Sequence, residues 1–180
     1  MVDYFAILEV PRQPWLEEEL VRENFHRRAA TLHPDVAGGS EAAFTELNQA
    51  WQQLRAPASR LRHFLELEHP SSLEASRQTP AELTDLFLQI AELRQMAGVH
   101  AEKRASASSP LSRALLEPAR LALAKRLAAL GQGVEARTTE VHTLLKTGTT
   151  APEQLAASLA KLVFLEKWQG QLRETATGLG

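Results

Sequence analysis

No stretch of this chain alternates apolar and polar residues for long, and Val and Ile are few. A sheet needs that alternation or continuous β-branched runs. Ala, Leu, Glu, Gln and Arg dominate instead, and these are good helix formers. The pattern predicts an all-α protein with helices over 3–9, 16–31, 41–55, 58–68, 80–101, 112–146 and 152–177. Hydrophobic residues are 44% of the 180, enough for a core and against wholesale disorder. The chain has no cysteine, which excludes disulfides, thiolate metal sites and a cysteine nucleophile. With 20 basic against 22 acidic residues, binding nucleic acid through bulk positive charge is excluded as well. Apolar runs fall far short of the roughly 20 residues that span a bilayer. The amino terminus lacks a basic start and carries Asp3 and Glu9, unlike a secretory signal. The expectation is a cytoplasmic protein with no nucleic-acid or membrane partner and no metal or other cofactor.

Breakers divide the helical text. Pro11 and Pro14 separate the first two helices, and the segment from His33 to Ser40 holds Pro34, Gly38 and Gly39, which is loop chemistry. Ser40 and Thr79 are expected N-caps, the second with Pro80 at the first helical position. Pro57 splits the third helix from the fourth, and His69-Pro70-Ser71-Ser72 reads as a linker. Further breaks fall at Ser106–Pro110 and Gly148–Pro152. Pro118, Gly131 and Gly133 lie inside the sixth helix, which therefore begins near Pro118 or is kinked. Residues 1–70 carry 7 basic and 11 acidic residues, a net of −4, and residues 71–180 carry 13 and 11, a net of +2. Linker and charge shift together suggest a domain over 1–68, a connector over 69–79 and a second domain over 80–180.

The first three helices offer apolar stripes for one small core: Tyr4, Ile7 and Leu8; Val21, Phe25, Ala29 and Leu32; Phe44, Leu47, Trp51 and Leu54. Between the second and third lies His33-Pro34-Asp35. Pro34 forces His33 out of helical geometry, so the helix ends there. Asp35 is left on a stiff turn as a carboxylate acceptor suited to an arginine of a partner, and His33 is free to hydrogen-bond or pack at the turn. No nearby Ser or second carboxylate cluster completes a catalytic site. In this order, Asp3-Tyr4-Phe5-Ala6-Ile7-Leu8-Glu9-Val10, Phe25, Leu32-His33-Pro34-Asp35 and Phe44 with Leu47-Asn48-Gln49-Ala50-Trp51 resemble a J domain. That resemblance implies docking on an ATPase chaperone of the DnaK class through His33, Pro34 and Asp35, aided by a basic face at Arg22, His26 and Arg27. Arg28 departs from the family pattern, which places an apolar residue there.

Ala56-Pro57-Ala58-Ser59-Arg60-Leu61-Arg62-His63-Phe64-Leu65, taken with the preceding helix, is similar to the HscB (Jac-type) co-chaperones of iron–sulfur cluster assembly. The resemblance implies a J domain followed by a C-terminal three-helix bundle. It further implies stimulation of ATP hydrolysis by a DnaK/HscA-class chaperone and delivery of an IscU-type iron–sulfur scaffold protein. Ala91-Glu92-Leu93-Arg94 and Lys161-Leu162-Val163-Phe164-Leu165-Glu166-Lys167 resemble the client-binding segments. Helix geometry puts Leu83, Leu86, Ile90, Leu93 and Ala97 on one inward stripe and Leu155, Leu159, Leu162, Leu165 and Leu172 on another. Leu88, Ala91, Glu92 and Gln95 then point outward with Phe87 at the edge, and Phe164 falls off the last stripe; exposed apolar groups on one side suggest a partner surface, and the resemblance implies that these six form the client face. Ala91 and Gln95 stand where the family carries a larger apolar residue and an acid. Two alternatives stay open: a general J-domain adaptor for another client, and a structural helical protein with a vestigial J domain. None of the readings makes the chain an enzyme.

Overall fold

The computed structural model describes residues 2–78, 80–148 and 151–179. Among these described residues eight α-helices follow in order: α1 Tyr4–Leu8, α2 Glu18–Leu32, α3 Glu41–Leu54, α4 Pro57–Glu68, α5 Thr84–Ser106, α6 Pro110–Ala114, α7 Glu117–Lys146 and α8 Pro152–Leu179. Single 3₁₀ turns lie at Pro70–Ser72, Ala75–Arg77 and Ala81–Leu83, and there is no strand among the described residues. The fold is all-α, as the composition requires.

Local chemistry explains most helix ends. Asp3 caps α1, its carboxylate accepting from the Phe5 and Ala6 amides, and Ser40 caps α3 through the Ala43 amide. α2 opens on Glu18 and Glu19, acids that suit the positive end of a helix dipole. The expected cap at Thr79 lies outside the described residues. Pro80 is extended and leads into a 3₁₀ turn, so α5 starts at Thr84 instead of residue 80. The expected helix over 112–146 is two elements. Ser109 and Ser112 form a capping box for the short α6, and α7 starts at Glu117. Pro118 is then the second residue of α7, where a missing amide hydrogen costs nothing.

By internal contact the chain divides into two compact units, Met1–Gln78 with His142–Leu162, and Thr79–Val141 with Val163–Gly180. The division is therefore discontinuous in sequence. In the first unit α1, α2 and α3 pack on one another and α4 packs on α3. Phe5, Leu8, Val21, Leu47, Leu54, Leu61 and Leu65 are buried. The core differs from the expected stripes at all three helices; on α3 Phe44 and Trp51 are only half-buried. Phe5 takes the buried place on α1, whereas Tyr4 and Ile7 are half-buried. A five-residue helix is too short for periodicity to fix its inner face, and His63 decides it. The Tyr4 amide donates to His63 Nε2 at 3.2 Å, and the Phe5 ring stacks on the imidazole with centroids 5.6 Å apart. On α2 only Val21 is buried, and Phe25 is half-buried against Trp51, ring to ring at 4.8 Å. The same unit includes the end of α7 and the start of α8. There Trp15 lies 4.7 Å from the His142 ring, with the Lys146 ammonium 5.0 Å from the indole centroid.

In the second unit Leu83, Ile90, Leu93 and Ala97 of the expected α5 stripe are buried, and Leu86 is half-buried. The α8 stripe is buried at Leu155, Leu159, Leu162, Leu165 and Leu172 across the two units. Trp168, which the stripe omits, is buried too.

Candidate functional site

The loop after α2 is built from two successive turns. The Val36 amide donates to the His33 carbonyl at 3.0 Å, and the Gly39 amide donates to the Val36 carbonyl at 2.8 Å. Ser40 closes the loop through its amide on the Leu32 carbonyl, 3.2 Å away. Pro34 sits second in the first turn, the place its fixed φ suits. Gly39 is demanded by packing, because a Cβ there would overlap the His33 carbonyl oxygen. In the sequence Gly39 reads only as loop chemistry, and no local signal specifies this contact.

Within this frame the His33 ring packs edge-on against Phe44, centroids 4.9 Å apart. Its Nδ1 accepts from the Asp35 amide at 3.3 Å. The Asp35 carboxylate lies 3.5 Å from that nitrogen and is 87% exposed. His33 is thus a structural brace, and Asp35 is an outward acceptor on fixed backbone. Val36 adds an exposed apolar side chain beside it, a neighbour the sequence reading did not single out.

Arg22, His26 and Arg27 on α2 are all exposed. Arg22 pairs with Glu19 one turn back. Arg27 donates to the Glu9 carboxylate at 3.0 Å, and Arg28 pairs with the same carboxylate. Glu9 is the residue that ends α1 in left-handed geometry, at φ 54°. Arg28 is half-buried and therefore adds a charge to the helix edge where it holds the end of α1. On the other side Arg12 bridges Asp3 and Glu68. Burial acts to raise the Asp3 carboxyl, but the Arg12 guanidinium and the two capping amides outweigh it and hold it below the ordinary carboxylate range.

On α5, Leu88 is 57% and Phe87 50% exposed, and Ala91, Glu92 and Gln95 are exposed as well. Phe164 on α8 is half-buried. Phe87 and Phe164 both flank the buried Trp168, at 6.2 and 5.8 Å between ring centroids. Phe87, Phe164 and Trp168 therefore form one aromatic cluster, and Leu88 follows Phe87 on α5. Met96 and Val99 extend the exposed apolar side of α5; their i+8 and i+11 spacing from Leu88 was the available signal. Among the described residues no three His, Cys, Asp or Glu side chains converge where they could hold a metal ion. No helix among the described residues is long and apolar enough to cross a membrane.

Residues 3–63 match the DnaJ domain family, and the loop just described lies inside that match. The chain is 32% identical over 85 residues to the J-type co-chaperone jac1, mitochondrial, of Schizosaccharomyces pombe, which is 43% of this chain and 38% of that protein. It is 39% identical over 59 residues to Chaperone protein DnaJ 1 of Cutibacterium acnes, 32% of this chain and 14% of that one. The chain thus spans less than half the length of these curated relatives. The match and the loop within it define a J domain over residues 3–63. The structure of the chaperone HscB from Vibrio cholerae covers 99% of this chain and is itself covered completely, with a TM-score of 0.55 at 21% identity. Residues 3–63 thus belong to a J domain, and the chain as a whole has the fold of the chaperone HscB.

Proposed function

We propose that this chain is a non-enzymatic co-chaperone of iron–sulfur cluster assembly. Residues 1–68 form the J domain, which docks on a DnaK/HscA-class ATPase chaperone through His33, Pro34, Asp35 and the cationic face Arg22, His26 and Arg27. The hydrolysis chemistry belongs to that partner; the Asp35 carboxylate repositions it by binding a cation on it. Residues 69–79 connect to a client-binding domain, 80–180, that presents Phe87, Leu88, Ala91, Glu92, Gln95 and Phe164 to an IscU-type scaffold protein. The cytoplasm is the proposed site of action.

The observation that carries this reading is the exposed Asp35 carboxylate on a doubly turned loop, inside a J domain that belongs to a chain of HscB fold. The test is single-turnover ATP hydrolysis by a DnaK/HscA-class chaperone with the chain added, first alone and then with an IscU-type scaffold. Acceleration by the chain, increased by the scaffold, is the expected result. No acceleration ends the co-chaperone reading. Acceleration that the scaffold leaves unchanged reassigns the client and leaves a general J-domain adaptor.

A further inference from the structure

The exposed side of α5 is joined by a residue from another helix. Arg126 of α7 donates through Nη1 to the Met96 sulfur at 3.4 Å, and its Nη2 pairs with the Glu92 carboxylate. Glu92 is therefore matched inside the chain. A partner that covers it does not bury a lone carboxylate, which is the expensive case. Arginine carries five N–H donors in a planar fork. Two contacts use one edge of that fork, and the side chain keeps 38% of its surface exposed. At this edge of an exposed apolar strip, Leu88, Met96 and Val99, a cation is held with donors to spare.

We infer that Arg126 is a further specificity-determining residue of the client face. It positions Glu92 and Met96, and it offers its remaining N–H donors to a carboxylate or backbone carbonyl of the scaffold. The inference rests on the client reading above. Lysine does not substitute for it, because a point charge on a flexible stem cannot hold the sulfur, the Glu92 carboxylate and a partner acceptor in one plane.

The experiment measures binding of the full chain to an IscU-type scaffold protein at several salt concentrations. Arg126→Ala is expected to weaken binding at least fivefold and to flatten its salt dependence, because a charge at the edge of an interface acts through screened attraction. Arg126→Lys recovers less than half of the loss. In the exchanged pair Glu92→Arg with Arg126→Glu, the internal ion pair is rebuilt but the partner meets a carboxylate, so binding stays weak. Wild-type affinity in the exchanged pair would reduce Arg126 to a strut and overturn the inference. So would Arg126→Ala binding as tightly as wild type, or more tightly, while Leu88→Ala weakens tenfold; the client face would then stand without Arg126. If Leu88→Ala also binds normally, the client reading fails and the inference falls with it.

Discussion

The backbone on either side of Asp35 is fixed by the turn bonds to His33 and Val36, while its carboxylate makes no contact that the core depends on. Asp35→Asn is therefore expected to abolish stimulation of the chaperone's ATPase and to leave helicity by circular dichroism unchanged. Stimulation at the wild-type level would remove the carboxylate from the mechanism. Gly39 makes a complementary case. Its substitution by Ala drives a methyl group into the His33 carbonyl, so the loop must shift. Gly39→Ala should lower the melting temperature modestly and ATPase stimulation at least tenfold; a variant that stimulates normally would show that the loop tolerates the shift. At this scale Asp35 was legible because Pro34 dictates a turn locally. Gly39, His63 and Arg60 were not. His63 is buried against Tyr4 and Phe5 from 59 residues away, and the Arg60 guanidinium is buried beneath Trp15, donating to the Leu54 carbonyl at 3.1 Å. Neither burial has a local signature in the sequence of α4.

Among the elements, α2 and α5 each present a face that can be tested apart from the core. Reversal of Arg22 to Glu breaks only a surface pair with Glu19, which solvent screens. It is expected to weaken chaperone docking several-fold with little change in melting temperature, and added salt should weaken the wild-type complex because the screening length is about 8–10 Å. Docking indifferent to both would return the face to solvent. Reversal of Arg27 also breaks the Glu9 clamp at the end of α1, so its effect on docking is confounded by the J-domain fold. On α5, Phe87 and Leu88 are half or more exposed, whereas Phe164 is partly covered beside Trp168. Phe87→Ala with Leu88→Ala is thus the cleaner pair. It should lower scaffold affinity tenfold or more, about 1.4 kcal/mol per decade, while costing little stability. Loss of several degrees in melting temperature would place these residues in the core. Helix periodicity made this face legible in advance. It could not weigh Phe164, since on α8 the large Trp168 beside it turns inward and draws the neighbouring ring with it.

For the molecule as a whole, a titrating contact lies within the first unit. His142 packs on Trp15. Burial pushes its imidazole below the ordinary value, and the Arg60 and Lys146 charges push in the same direction. Glu17, held by Lys146 at 3.0 Å, faces the same cluster. The folded state therefore refuses a proton that the unfolded chain accepts below about pH 6.5. Stability should fall as the pH drops through that range toward the depressed folded value. Thermal melts from about pH 8 to about pH 5.5 should show a declining melting temperature, and the decline should shrink in His142→Gln. An identical decline in both proteins would remove His142 as its source.

The sequence by itself determined the class of fold, the order of the helices, the loop chemistry at Pro34 and the inward stripes of α5 and α8. Each of these rests on interactions between residues within a few positions of one another: helix propensity, capping, the fixed torsion of proline and the 3.6-residue period. Only the tertiary structure decided which side of the five-residue α1 is buried, that Glu9 is clamped by Arg27 and Arg28, and that Arg126 stands beside Glu92 and Met96. It also decided that the end of α7 and the start of α8 group with the N-terminal helices in one compact unit. Those pairings join residues from 18 to more than 100 positions apart. The physical reason is that such contacts form only when separate helices bury their apolar faces together, and no local period or cap encodes the partner across that distance.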